Sequence, residues 1–284
     1  MKFTISMRRG AIVAAAGLAF SAWSGTAVAA SPPLVGPAPT YADLADLADP
    51  AELVLRVKVS RQSVVEPDRA PGLAAGMVRL YLVAKPEEAL SGQRPAVKAV
   101  KYLVDVPLSA NGKVPRLAGK RQIVFARLVS GRPDELQLVA PDAQIVADPA
   151  LVARLAPVLT ELGDPGAPPR VSGIRDILSV PGNLAGESET QLFLNSQRDG
   201  PVLVSVVRRP GQSPIWSVSW SELVDQAGRP PAPDTLAWYR LACSLPERLP
   251  PRANIGSSDA DRTRAMRDYA LIRQELGACN RTRK

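Results

Sequence analysis

Apolar residues recur at every second position through five stretches between residues 53 and 146. Successive side chains of a strand point to opposite faces, so this period predicts half-buried β-strands. In the first stretch Leu53, Leu55, Val57 and Val59 alternate with Val54, Arg56, Lys58 and Ser60. In the second Val78, Leu80 and Leu82 alternate with Arg79, Tyr81 and Val83, and in the third Val100, Tyr102, Val104 and Val106 stand opposite Lys101 and Asp105. The fourth runs from 121 to 129, and the fifth from 135 to 146 with an interruption at Pro141. A loop rich in proline, glycine and alanine at 67–76 separates the first two, and Lys85 to Leu90 is expected to form one helical turn.

The remaining chain mixes two periods. Thr40 is placed to cap a short helix in which Tyr41, Leu44 and Leu47 keep helical spacing. The repeated Ala-Asp-Leu triplet within it is expected to be an exposed helix edge. Asp148-Pro149 reads as a helix start, a capping carboxylate before the proline tolerated in the first turn. Leu151, Leu155, Val158 and Leu162 then share a face, with Pro157 as a kink, and Gly163 to Pro169 forms the strongest break in the chain. After an apolar stretch from Val171 to Val180 comes a meander from Gln191 to Trp220. Its turns fall at Asp199-Gly200 and Pro210-Gly211, with Val202, Val204 and Val206 alternating with Leu203, Ser205 and Val207. Trp216, Val218 and Trp220 share one face of its last strand, opposite Ile215, Ser217 and Ser219. A helix capped at Asp234 is expected over 235–245, apolar nearly all round and therefore buried. A last helix from Ser258 or Asp259 presents Ala265, Tyr269, Ile272, Leu276 and Cys279 on one stripe.

These elements predict an α+β protein, predominantly antiparallel β. Its N-terminal half is a five-stranded barrel-like or sandwich domain, and its C-terminal half a three-stranded meander packed with helices. The expected organisation is a leader to be cleaved at 1–30, an extended segment at 31–39, a small β domain at 40–147, a helix and linker at 148–170, and the tied meander at 171–284. In strand order and helical insert the first half resembles five-stranded oligonucleotide/oligosaccharide-binding barrels, in architecture alone, with no sequence motif behind the likeness.

Composition changes this picture in three ways. The first thirty residues place Lys2, Arg8 and Arg9 before an apolar run from Ala11 to Phe20 and small residues through Ala30, the form of a secretory signal. Its apolar run is shorter than the roughly 20 residues of a spanning helix, and no later segment is apolar for long enough. The expectation is therefore an exported protein, periplasmic or secreted, with no transmembrane segment in the mature chain. Second, the sequence contains no histidine, which removes the usual Ser-His-Asp and Cys-His catalysis and most zinc sites. No catalytic residue, metal or cofactor is assigned. Third, the two cysteines, Cys243 and Cys279, predict one disulfide in an oxidising compartment. It would pin the last helix to the buried one.

Three arrangements carry candidate chemistry. Glu187 and Glu189, with Asp199 or Glu222, could supply the paired carboxylates of a histidine-free glycan hydrolase, set against the alternative of solvated loop and turn residues. A basic stretch from Lys98 through Lys101, Lys113, Arg116, Lys120 and Arg121 to Arg127 holds one acid, Asp105. It could meet an anionic polymer or lipid headgroup, or be an ordinary solvated face. Arg208 and Arg209 near Trp216 and Trp220 could bind an anion or simply begin a turn over a tryptophan-filled core. Arg281, Arg283 and Lys284 form a basic tail expected to fray. The formal charge of +8 is spread along the chain rather than concentrated, so no nucleic-acid partner is expected. The leading function is an envelope-associated binding or interaction protein without enzymatic activity, with an envelope protein or an anionic envelope component as partner. The carboxylate hydrolase and the anionic-ligand module are the alternatives.

Overall fold

A computed structural model describes residues 38–197, 202–220 and 229–283. The alternating runs of the first half form strands β1 (Leu53–Val64), β2 (Met77–Ser91), β3 (Val100–Pro107), β4 (Arg121–Val129) and β5 (Arg132–Leu138), with a short β6 (Gln144–Val146) beside β4. β1 pairs antiparallel with both β2 and β4, β3 meets β5 in parallel at Lys101 and Glu135, and β5 returns to β4. The five strands thus make a ring, the barrel-like arrangement expected. Leu55, Val57, Leu80, Leu82, Val100 and Val104 fill its interior, each at most 1% exposed. The helical insert is absent, because residues 85–90 continue β2 and pair with β1 through two register shifts. Six residues cannot outweigh a ladder already running on either side of them. Gly92 then ends β2 with φ at +75°, and a Cβ there would lie 2.4 Å from the Glu52 carbonyl, so only glycine closes this corner.

The second half builds a four-stranded antiparallel sheet, β7 (Val171–Pro181), β8 (Ser188–Ser196), β9 (Val202–Arg208) and β10 (Ile215–Ser219), in the order β10-β9-β8-β7. The meander of three strands gains a fourth because 171–180 is extended and pairs with β8 along its length. Helices α1 (Tyr41–Ala48), α2 (Pro149–Gly163), α3 (Leu236–Ala242) and α4 (Asp259–Leu276) complete the chain. α2 runs through Pro157 as one helix, capped by Asp148. Thr235, not Asp234, caps α3, its hydroxyl accepting from the Trp238 amide.

From Pro39 onward the described residues belong to one compact unit. A second core joins the outer wall of the barrel, through Val54, Ile123 and Phe125, to the helices and the inner face of the sheet, where Leu192, Val204 and Trp216 lie. The Gly163–Pro169 break contributes to it, since Ala167 is buried and the Pro168 carbonyl accepts from Arg240. Trp216 fills this core and donates to Glu275 at 2.7 Å, while Trp220 packs against it half-buried.

α1 is the opposite of an exposed edge. Ala42, Asp43, Leu44 and Ala45 are at most 1% exposed, and three aspartates at three-residue spacing fasten distant segments. Asp43 closes a capping box with Thr40 and accepts the amides of Thr282 and Arg283. Asp46 accepts the Tyr239 hydroxyl and the Arg281 guanidinium. Asp49 receives Arg240 in a bidentate pair and Arg170 beside it. The basic tail is therefore fixed through residue 283, with Arg283 also paired to Asp142 at 2.8 Å. Local composition predicted fraying because the partners lie some 240 residues away in sequence.

This arrangement sets the acid stability. Burial alone would raise the Asp43 carboxyl, but hydrogen bonds from Thr282, Arg283 and Thr40 overcome it and hold its pKa at about 2. Asp49 is likewise lowered, Arg240 and Arg170 overcoming its burial. Both folded values lie below the ordinary 3.8, so their stabilisation is complete above that pH and is lost as pH falls toward the folded values. Urea midpoints should hold steady down to the ordinary carboxylate pKa and drop steeply below it. Asp43→Asn should flatten that drop; an unchanged profile in the variant would contradict the assignment.

Candidate functional site

A cleft of about 730 Å³ lies between the loop joining β7 to β8 and the first turns of α4. It is open and contains Glu187, the leading carboxylate of the sequence reading. Glu187 folds back over its own loop, accepting the amides of Asn183 at 3.1 Å and Leu184 at 3.3 Å. A Cβ at Gly182 would meet its side chain at 2.4 Å, which shows how closely the carboxylate is tucked. It thereby organises a turn. Glu189 stands on the outer face of β8 and accepts from Gln191, while Asp199 and Glu222 lie outside the described residues. Among the described residues no group of three or more Asp, Glu, Cys or His is placed to hold a metal ion.

The basic candidates are distributed rather than gathered. Lys101 pairs with Asp134 at 2.6 Å, Arg121 with Glu87 at 2.8 Å, and Arg127 donates to the Pro50 carbonyl. Lys98 and Lys120 are exposed. Arg208 does not reach a ligand surface beside the tryptophans. Its guanidinium grips Asp268 of α4, a carboxylate with 0% exposure that also takes a hydrogen bond from Thr190, itself joined to Ser179. A buried charge demands such a partner, and the pairing locks α4 onto the inner face of the sheet. Arg209, next in sequence, is exposed.

What the fold does bring together is an apolar surface on the outer face of the same sheet. Register places Val180, Glu189, Val207 and Ile215 in one cross-strand row. Val180, Val207 and Ile215 are 50%, 36% and 62% exposed. Leu178, Phe193 and Leu203 stand half-buried on the same face behind them, with the Arg175 guanidinium 5.1 Å from the centre of the Phe193 ring. Single exposed apolar residues are ordinary. Here the exposed apolar residues come from β7, β9 and β10, with Glu189 between Val180 and Val207 and with Gln191 and Ser205 between that row and Phe193 and Leu203. Apolar groups gathered on one open face within a polar frame are the kind of surface associated with recognition. The available signal in the sequence was that β9 and β10 carry apolar residues on both faces, where a one-sided sheet alternates cleanly.

The barrel wall carries a second grouping. Lys85 of β2, Lys58 of β1 and Arg121 of β4 stand directly opposite one another, all exposed. No run of sequence marks them, because they meet only through pairing. No known protein family matches the chain, and no curated protein is similar to it in sequence.

Proposed function

We propose that this is an exported, non-enzymatic interaction protein of the cell envelope that recognises a protein partner through the open face of its C-terminal sheet. The row of Val180, Val207 and Ile215, backed by Leu178, Phe193 and Leu203, is the observation that carries the reading. Each exposed apolar group burdens an isolated protein with hydration that a partner would remove. Export is supported by the three-part leader at 1–30 and by the Cys243–Cys279 disulfide, a bond that persists in oxidising compartments. No helix among the described residues is long and apolar enough to cross a membrane.

The test is a pull-down of the tagged chain from its own cell envelope, run in parallel with the V207K/I215K variant. Both positions are on the solvent side, and lysine is well tolerated on strands near a sheet edge, so the variant should unfold within about 0.5 kcal/mol of the wild type. The proposal expects a specific partner with the wild type and its loss with the variant. Retention of the same partner at the same level would refute this face as the recognition surface.

A further inference from the structure

We propose that the barrel wall formed by β2, β1 and β4 docks the protein on a bilayer surface rich in anionic phospholipid, through Lys85, Lys58, Arg121 and Lys120. The surface is separate from the apolar face of the C-terminal sheet and does not depend on its role. Three cations in one cross-strand row are the anomaly that points to a ligand. Adjacent strands lie roughly 4.8 Å apart, and like charges directly opposite one another destabilise a sheet. Two of the three, Lys58 and Lys85, form no ion pair among the described residues. Lys120 is exposed immediately before β4, next to Arg121 in the chain, its carbonyl accepting the Val59 amide.

Two acids border the row, and both are already spoken for. Glu88 pairs with Arg56 and Glu87 with Arg121, each at 2.8 Å. The Arg121 hydrogen bond, and then the fields of Arg56 and Lys58, hold the Glu87 carboxyl below the usual carboxylate range. Five cations thus converge on two carboxylates, which leaves positive charge free to act outward. The shape selects the ligand. The row lies on the outer wall of a closed ring whose opposite side is the barrel core, with Val57 and Val59 pointing in and Lys58 out. A convex wall of this kind has no groove to hold a single polymer strand, but it can rest against a plane of phosphates. A cluster of basic residues on such a wall is what an anionic interface attracts.

The experiment is co-sedimentation of the full chain, wild type against K58A/K85A, with phosphatidylcholine vesicles made with and without phosphatidylglycerol. Both proteins carry the same N-terminus, so any contribution of the leader cancels. Wild type should bind the anionic vesicles more tightly than the neutral ones, and less so as salt rises. The double variant should lose about fivefold in affinity for each lysine, roughly twenty-five-fold together, while melting at or slightly above the wild-type temperature because the opposed charges are gone. Equal vesicle binding by the two proteins would overturn the proposal, and so would a lowered melting temperature with unchanged binding, which would make the lysines packing residues. Soluble polyphosphate that binds with the same lysine dependence, in the absence of any vesicle binding, would reject the membrane in favour of a free polyanion.

Discussion

Asp49→Ala should cost about 3–5 kcal/mol of folding stability, the range for removing one partner of a buried ion pair. The reason is the asymmetry of the site. Arg240, whose side chain is only 7% exposed, directs two nitrogens at Asp49 at 2.7 and 2.8 Å and a third at the Pro168 carbonyl. Without the carboxylate its charge would be left in a place water cannot easily reach. Arg170, with 41% of its side chain exposed, can turn outward and adds little. The double replacement D49A/R240M should recover most of the loss, since an apolar pair removes the stranded charge together with its partner. Urea unfolding of the three proteins decides it, and a single variant within about 1 kcal/mol of the wild type would mean that the pair is solvent-screened.

Removing the disulfide is the second large effect. Cys243 caps the end of α3 and Cys279 follows α4, with their Cα atoms 4.9 Å apart and 36 positions between them in sequence. Opening a loop of that length releases about 4 kcal/mol of restraint on the unfolded chain. Cys243→Ser with Cys279→Ser should lower stability by about 2–4 kcal/mol. It should also loosen the tail, because Arg281, Thr282 and Arg283 reach Asp46, Asp43 and Asp142 from just beyond Cys279. Hydrogen exchange at the Thr282 and Arg283 amides reads the second effect separately from the first. Unchanged protection there would show that the aspartates of α1 hold the tail without the bond.

These two expectations differ in how early they could be seen. The disulfide was legible from two cysteines in a chain whose first thirty residues read as a secretory leader, and the stripe from Ala265 to Leu276 already aimed Cys279 at the core. The Asp49–Arg240 pair was not. α1 is a short helix of alanine, aspartate and leucine, and a charge every third residue is the usual mark of a solvated edge. Asp43 is buried, and Asp46 and Asp49 are partly covered, because their partners arrive from residues 170, 239, 240 and 281–283.

The candidate surfaces divide in the same way. The basic stretch at 98–127 is contiguous in sequence but wraps around a ring, so Lys101 turns to Asp134 while Arg121 faces Glu87. The row that does form borrows Lys58 and Lys85 from strands far away in the chain. Arg208 lay beside the tryptophans in sequence, yet a buried aspartate on α4 took it.

Local patterning was not enough for the extension of β2 through 85–90 or the division of the fifth run into β5 and β6. It was enough for the alternating runs that form the barrel and the faces they bury, the helix starts at Thr40, Asp148 and Ser258 or Asp259, and the cysteine pairing. All of these rest on periods and neighbours within one element, where a side chain's direction follows from its position. Only the tertiary structure decided which charges are buried, which are neutralised and which stand together on a surface. Those depend on register between strands and on contacts across the whole chain, and a carboxylate bears no local sign of the arginine it will meet.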